Sequence, residues 1–212
     1  AANRAACWLQ SVGVEKGDRV AGVLKNCPEF IELYLACSRL GAIFVPINFR
    51  LAGPETEYIL KNARPRILVV GTEFLEKILP LQEKPTQTPM LLVRLGLEGK
   101  DPELADYRKE TLSFDGEDPF VTGSLGPADA EEPHVIMYTS GTTGRPKGAV
   151  LSHRKTFFNC LNADIFFKLH FDDIMLVVLP FFHSGGLFIQ ASPILYKGAT
   201  MVIHPKFDPS RV

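Results

Sequence analysis

The sequence predicts an α/β fold of layered, mostly parallel sheets flanked by helices. Short apolar strand-like runs alternate with helices of crossover size, which is the pattern of βαβ units. The runs are continuously apolar instead of alternating, as expected for parallel strands covered on both faces. No internal repeat is present.

Taken in order, Ala1–Val12 reads as a helix, with Ala2, Ala5, Leu9 and Val12 on one face and Gly13 just past its end. Arg19–Leu24 is a short strand. Pro28–Leu40 is a helix with Phe30, Leu33, Tyr34, Cys37 and Leu40 at helical spacing; Asn26 is its expected cap and Gly41 its stop. Ala42–Ile47 is a strand. Pro54–Asn62 is a helix, with Pro54 suited to the first turn and Glu55 and Glu57 placed to meet the helix dipole. Arg66–Val70 is a strand, Glu73–Leu81 is helical, and Met90–Leu95 is a strand again.

Gly96–Glu132 differs in composition. It is rich in Asp, Glu, Gly and Pro, with Tyr107 and Phe114 isolated, and reads as a surface excursion with one helical turn near Leu104 and solvated acidic residues. Val135–Tyr138 and Ala149–Leu151 are strands. Lys155–Lys168 is a helix with Phe158, Leu161, Ile165 and Leu169 near one face. Ile174–Leu179 reads as a buried strand and Pro180–Gly186 as a turn. Leu187–Tyr196 is helical, with Pro193 a source of distortion, and Thr200–His204 is a strand.

The bulk properties exclude several function classes. The 212 residues carry a net charge of −1, so nothing favours nucleic acid or an anionic membrane surface. Hydrophobic residues at 46% and charged residues at 22% are ordinary for a globular chain. Cys7, Cys27, Cys37 and Cys160 form no CxxC pair, which favours reduced thiols in the cytoplasm over a disulfide or zinc framework. No run approaches the ~18 apolar residues of a membrane span, and no signal peptide is visible. The five histidines (134, 153, 170, 183 and 204) have no metal-ligand spacing. The chain opens in mid-helix and stops at Val212 without a closing element, which reads as a fragment of a longer protein.

Between Val135–Tyr138 and Ala149–Leu151 lies Thr139-Ser-Gly-Thr-Thr-Gly-Arg-Pro-Lys-Gly148. One reading is a Gly-rich hairpin turn. The other is a polyphosphate loop: Gly141 and Gly144 let backbone N–H groups face an anion, Ser140, Thr142 and Thr143 add hydroxyls, and Lys147 adds a charge. It is not the nucleoside-triphosphatase loop. Two residues instead of four separate its glycines, and Gly148, not Ser or Thr, follows the lysine.

Tyr138–Gly148 resembles the signature loop of the adenylate-forming superfamily of acyl- and aryl-CoA ligases, peptide-synthetase adenylation domains and beetle luciferases. Arg39-Leu-Gly-Ala-Ile-Phe-Val-Pro-Ile-Asn48 and Leu179-Pro-Phe-Phe-His-Ser-Gly-Gly186 resemble two flanking segments of that family in order and spacing. The likeness runs from Ala1 to Asp208 and points to the acyl-CoA synthetase branch.

The resemblance implies the truncated large N-terminal domain of an acyl-CoA synthetase-like fold. Residues 1–16 would form an N-terminal helix packing on the second layer, 17–162 a first α/β subdomain including the loop at 138–148, and 163–212 the incomplete start of a second. It implies a reaction too. The carboxylate of a fatty or other apolar acid attacks the α-phosphorus of ATP, pyrophosphate leaves, and the thiol of CoA then takes the acyl group from AMP.

On this implication Thr139, Ser140, Gly141, Thr142, Thr143, Gly144 and Lys147 hold the ATP polyphosphate, and Thr139 reaches Mg²⁺. His183 orients the carboxylate, with Gly185 and Gly186 admitting the acyl chain beside it; Lys147 and His183 are the candidate catalytic residues. Phe181 and Phe182 are core or pocket wall, and His153 and Arg154 brace the loop or cap the next helix. The implied partners are the acid, ATP and CoA, with a homodimer left open. The family's later acidic metal segment, ribose-gripping aspartate and C-terminal lysine are not in the sequence, so these residues alone are expected to be inactive. An amino-acid-adenylating domain and a nucleotide-binding module without turnover are the competing readings.

Overall fold

A computed structural model describes residues 1–82, 90–96, 103–117, 129–139 and 145–210. Seven strands form the main sheet: β1 (Arg19–Val23), β2 (Ile43–Pro46), β3 (Ile67–Gly71), β4 (Leu91–Leu95), β5 (Ala105–Asp106), β6 (Pro133–Thr139) and β7 (Lys147–Ser152). Their order is β5-β4-β3-β1-β2-β6-β7. Every pairing is parallel except β6 with β7. The predicted fold class is therefore observed: a mostly parallel sheet with helices on both faces.

The continuous apolar runs have a simple cause. Neighbouring residues of one strand enter different cores. Val20, Ile67 and Val69 pack in one hydrophobic cluster with α1 (Ala2–Ser11) and α2 (Pro28–Leu40). Ala21, Leu68 and Val70 pack in a second with α3 (Gly53–Ala63) and α4 (Leu75–Gln82). Both faces are buried, so alternation would bury polar groups. In the first cluster, fully buried Trp8 of α1 meets Tyr107 edge-to-face, with ring centroids 5.5 Å apart.

Helix ends follow their local chemistry. Gly41 ends α2 in the left-handed region at φ 65°, which a side chain rarely adopts. Pro54 occupies the first turn of α3, and the Glu55 carboxylate accepts from the Ala52 N–H at 3.0 Å. Asn26 does not cap α2. The cap position belongs to Cys27, with no side-chain bond, because the Asn26 amide is committed elsewhere.

Two expectations for Gly96–Glu132 need correction within its described part. Residues near Leu104 form more than one turn: β5 extends the sheet edge and α5 (Tyr107–Leu112) follows. Tyr107 is core, not isolated. Asp106 is not solvated. It is buried, pairs with buried Arg94 at 3.0 Å, and caps α5 by accepting the N–H groups of Arg108 and Lys109.

Beyond the hairpin come α6 (His153–Phe167), β8 (Ile174–Val177), a π-helical segment (Gly185–Ala191), α7 (Ser192–Lys197) and β9 (Thr200–Ile203), which pairs with β8 in parallel. The π segment ends just ahead of Pro193, whose missing N–H and bulky ring stop an α-turn from running through. The β8 strand is less buried than expected, with Ile174 71% exposed, because among the described residues two strands form this sheet. On α6, Thr156 and Cys160 are the buried positions, whereas Phe158 and Ile165 are exposed. Among the described residues no helix is long and apolar enough to cross a membrane.

Candidate functional site

The hairpin is built by pairing two strands of different burial. On β6, Val135 and Met137 enter one core and Ile136 and Tyr138 lean on the other, while Phe44 of β2 pairs with Val135. The β7 strand lies at the sheet edge, mostly exposed. Thr139 is in register with Lys147 and Tyr138 with Gly148, so these pairs close the mouth of the loop. The Tyr138 hydroxyl donates to Asn62 Oδ1, and its pKa is raised by burial and by nearby Tyr58. The loop's polyphosphate candidates Ser140, Gly141, Thr142, Thr143 and Gly144 lie outside the described residues. Ser152 closes the hairpin and caps α6, accepting the Lys155 N–H at 3.3 Å.

A cleft of about 230 Å³ opens at this mouth. Met137, Tyr138, Thr139 and Pro146 line its hairpin side. Phe182, His183 and Ser184 line another side, and Asn48, Leu51, Glu55 and Ile59 a third. Segments far apart in sequence therefore converge, and Thr139 and His183 share one cleft. Lys147 is exposed at the base of β7 and is not a wall of the cleft.

The His183 ring is held in a defined state. Its Nδ1 accepts the Gly185 N–H at 3.2 Å, so the ring proton resides on Nε2. Its backbone N–H donates to Pro180 O, and its carbonyl accepts from Gly186 and Leu187, each at 3.1 Å. An exposed imidazole with a fixed Nε2–H is a hydrogen-bond donor. Gly185 and Gly186 are buried behind the turn and do not line the cleft. The space a Cβ would need at Gly186 is filled by the carbonyl oxygens of Leu179 and Pro180.

Phe181 and Phe182 divide. Phe181 is core, 5.2 Å from the Phe30 ring, whereas Phe182 is a cleft wall, edge-on to Phe49 at 5.3 Å. The Arg50 guanidinium lies over both Phe49 and Phe182. Lys77 steadies this loop by donating to the carbonyls of Phe49 and Leu51, and burial lowers its pKa.

His153 and Arg154 sit at the far end of the hairpin, away from the cleft. Arg154 pairs with Glu131 at 2.8 Å. His153 stacks on buried His134, with centroids 4.4 Å apart. No group of three or more His, Cys, Asp or Glu among the described residues forms a metal cage. The Thr139 hydroxyl and the Glu55 carboxylate in the cleft are oxygen donors of the kind Mg²⁺ takes together with substrate phosphates.

Sequence reasoning missed Asn26, Asn48 and Glu55. The Arg39–Asn48 segment contained Asn48, but nothing local tied Glu55 to the cleft or Asn26 to the turn that carries His183.

A profile of the family described as AMP-binding enzyme matches residues 1–212. The chain is 38% identical to an indoleacetate–CoA ligase of Aromatoleum aromaticum, over 97% of this chain and 39% of that protein. It is 35% identical to a feruloyl-CoA synthase of an Amycolatopsis species, over 99% of this chain and 38% of that one. ATP-bound MatB from Rhodopseudomonas palustris superposes with a TM-score of 0.83 at 29% identity, covering 99% of this chain and 39% of MatB. The chain thus spans about 39% of the length of such relatives.

Proposed function

The chain belongs to the AMP-binding enzyme family, and from that premise we propose that the full-length protein carrying it activates a carboxylic acid with ATP. The acid becomes an acyl-adenylate with release of pyrophosphate, and CoA then displaces AMP to give the thioester. The observation that carries this reading is the convergence of Thr139, at the mouth of the loop, and the Nε2–H of His183 on one cleft.

Each residue has a task that follows from charge. Ser140, Gly141, Thr142, Thr143 and Gly144 offer backbone and hydroxyl donors to the β- and γ-phosphates, and Lys147 neutralises charge developing on departing pyrophosphate. Mg²⁺, when bound, would draw off negative charge from the phosphate oxygens, and the Thr139 hydroxyl is a ligand this chain offers it. His183 donates to a carboxylate oxygen of the acid and fixes its approach. It is not a base, because an ionised carboxylate has no proton to give up.

The acid is assigned as apolar, fatty or aryl. Leu51, Ile59, Met137 and Phe182 give the cleft apolar walls, and two relatives carry the names of the aromatic acids indoleacetate and ferulate. We further assign 17–162 to a first α/β subdomain and 163–212 to the start of a second, with 1–16 as an N-terminal helix. A cytoplasmic location fits the four free cysteines.

The test is carboxylate-dependent ATP–pyrophosphate exchange by the full-length protein with a panel of fatty, aryl and amino acids. Exchange is expected with one apolar class, and Lys147→Ala is expected to lower it by about 100-fold or more. Exchange with amino acids alone would reassign the substrate. ATP binding without exchange for any acid would leave a nucleotide-binding module and remove the ligase reading.

A further inference from the structure

We propose that Asn26 is the positioning residue for His183, acting through the backbone of the turn that carries it. The Asn26 side chain lies at the entrance to α2 and is 4% exposed. Its Nδ2 donates to Leu179 O and its Oδ1 accepts from Phe181 N–H, both at 2.8 Å. The amide orientation is dictated by these partners, since a carbonyl only accepts and an N–H only donates.

One side chain thus straddles Pro180, which has no N–H of its own to pin the chain. The clamp draws Phe181 into the core against Phe30. His183 is referenced to the same point, through its N–H to Pro180 O, and its ring is then set by the Gly185 N–H. Asn26 therefore ties the first sheet's core to the place where the His183 ring emerges, across more than 150 residues of sequence. It does not line the cleft itself. Only a short primary amide supplies both a donor and an acceptor here. Alanine supplies neither, and aspartate keeps the acceptor while losing the donor.

The functional half of this proposal rests on the reading of His183 as a donor to the acid, so two readouts are needed. In full-length protein labelled with ¹⁵N-histidine, the His183 signal, assigned with His183→Ala, reports the ring tautomer. Asn26→Ala is expected to abolish the fixed Nε2–H signature, and Asn26→Asp to weaken it. In ATP–pyrophosphate exchange, kcat/KM for the acid is expected to fall about 10- to 100-fold in Asn26→Ala, with no further loss when Asn26→Ala is added to a His183→Ala background.

An unchanged tautomer signature in a folded Asn26 variant would overturn the proposal, as would a changed signature with undiminished exchange. Should Asn26→Ala not fold, Asn26→Asp decides by the same readings. Failure of both to fold would assign Asn26 to the fold instead and overturn it equally. Absence of exchange in the wild type would sink the ligase reading, while the imidazole signal would still judge the clamp.

Discussion

Gly186→Ala is expected to destroy the native turn between β8 and α7, at a cost of about 3 kcal/mol or more. The cause is space. A Cβ on Gly186 would overlap Pro180 O and lie 2.5 Å from Leu179 O and from the Pro180 carbonyl carbon. These are backbone atoms. They cannot swing aside as a side chain does, and Asn26 holds the backbone on both sides of Pro180. Gly185 is the internal control. Its Cβ would meet the end of the Leu179 side chain at 3.2 Å, which a small rotation relieves. Gly185→Ala is therefore expected to cost less than about 1 kcal/mol. Thermal unfolding of the two variants separates them, since ~3 kcal/mol corresponds to a Tm drop of roughly 10 °C in a domain of this size. Equal melting of the two would show that the turn yields, and would refute the account of Gly186.

Much of the fold was legible because its causes are local. Pro28–Leu40 has a proline at its start, an apolar stripe and a glycine at its end, and all three act within the helix itself. The strands were legible because burial on both faces leaves an unbroken apolar run. The hairpin was legible from its glycines and from the strands on either side, and β6 and β7 do pair as one.

What failed was decided by distant partners. Asn26 precedes a helix as a cap would, yet its amide is used by residues 153 and 155 positions away. Asp106 and Tyr107 read as polar excursion because Arg94 and Trp8, which bury them, are not neighbours in sequence. The apolar residues of α6 gave a sound helix but not its environment: Phe166 is 79% exposed. Glu55 was read for its dipole, and the cleft it lines exists only once three separate segments meet.

The second large effect is expected from acid, through His134. This ring is 3% exposed, stacked between Tyr34 at 4.6 Å and His153 at 4.4 Å. Its Nδ1 contacts Thr156 Oγ1 at 3.3 Å. The Thr156 hydroxyl hydrogen is spent on His153 O at 2.8 Å, so Nδ1 carries the proton of the neutral ring and Nε2 is bare and buried without a partner. Protonating the ring would place a buried charge beside a second imidazole, which a hydrogen bond with the Tyr34 backbone offsets only in part. Burial first, and His153 second, push the His134 pKa down to about 3. His153 is itself lowered by burial, with Glu132 pulling the other way, and Glu132 is held by Lys16 at 2.6 Å. The other titratable groups around the stack are Tyr34, Cys160 and Tyr196, and burial raises the pKa values of Tyr34 and Cys160, which keeps both neutral in acid.

The sign follows from the proton balance. Unfolded His134 titrates near 6.5 and the folded ring near 3, so between those values the unfolded state binds more protons. Stability is fully present above about pH 6.5 and falls by slightly more than ~1 kcal/mol per pH unit below it, to a total of roughly 4–5 kcal/mol. Urea unfolding at pH 7.5 and pH 5.0 is expected to show a loss of about 2 kcal/mol from this residue alone. His134→Phe keeps the stacked ring and has no site to protonate, so it should remove that loss. An identical pH dependence in wild type and variant would rule the mechanism out. The response should also be local. His134 on β6 and His153 just beyond β7 stand on either side of the Pro133–Ser152 pair, at the end of the hairpin away from the loop. Amides of β6 and β7 should therefore lose exchange protection in acid before those of β1 and β3.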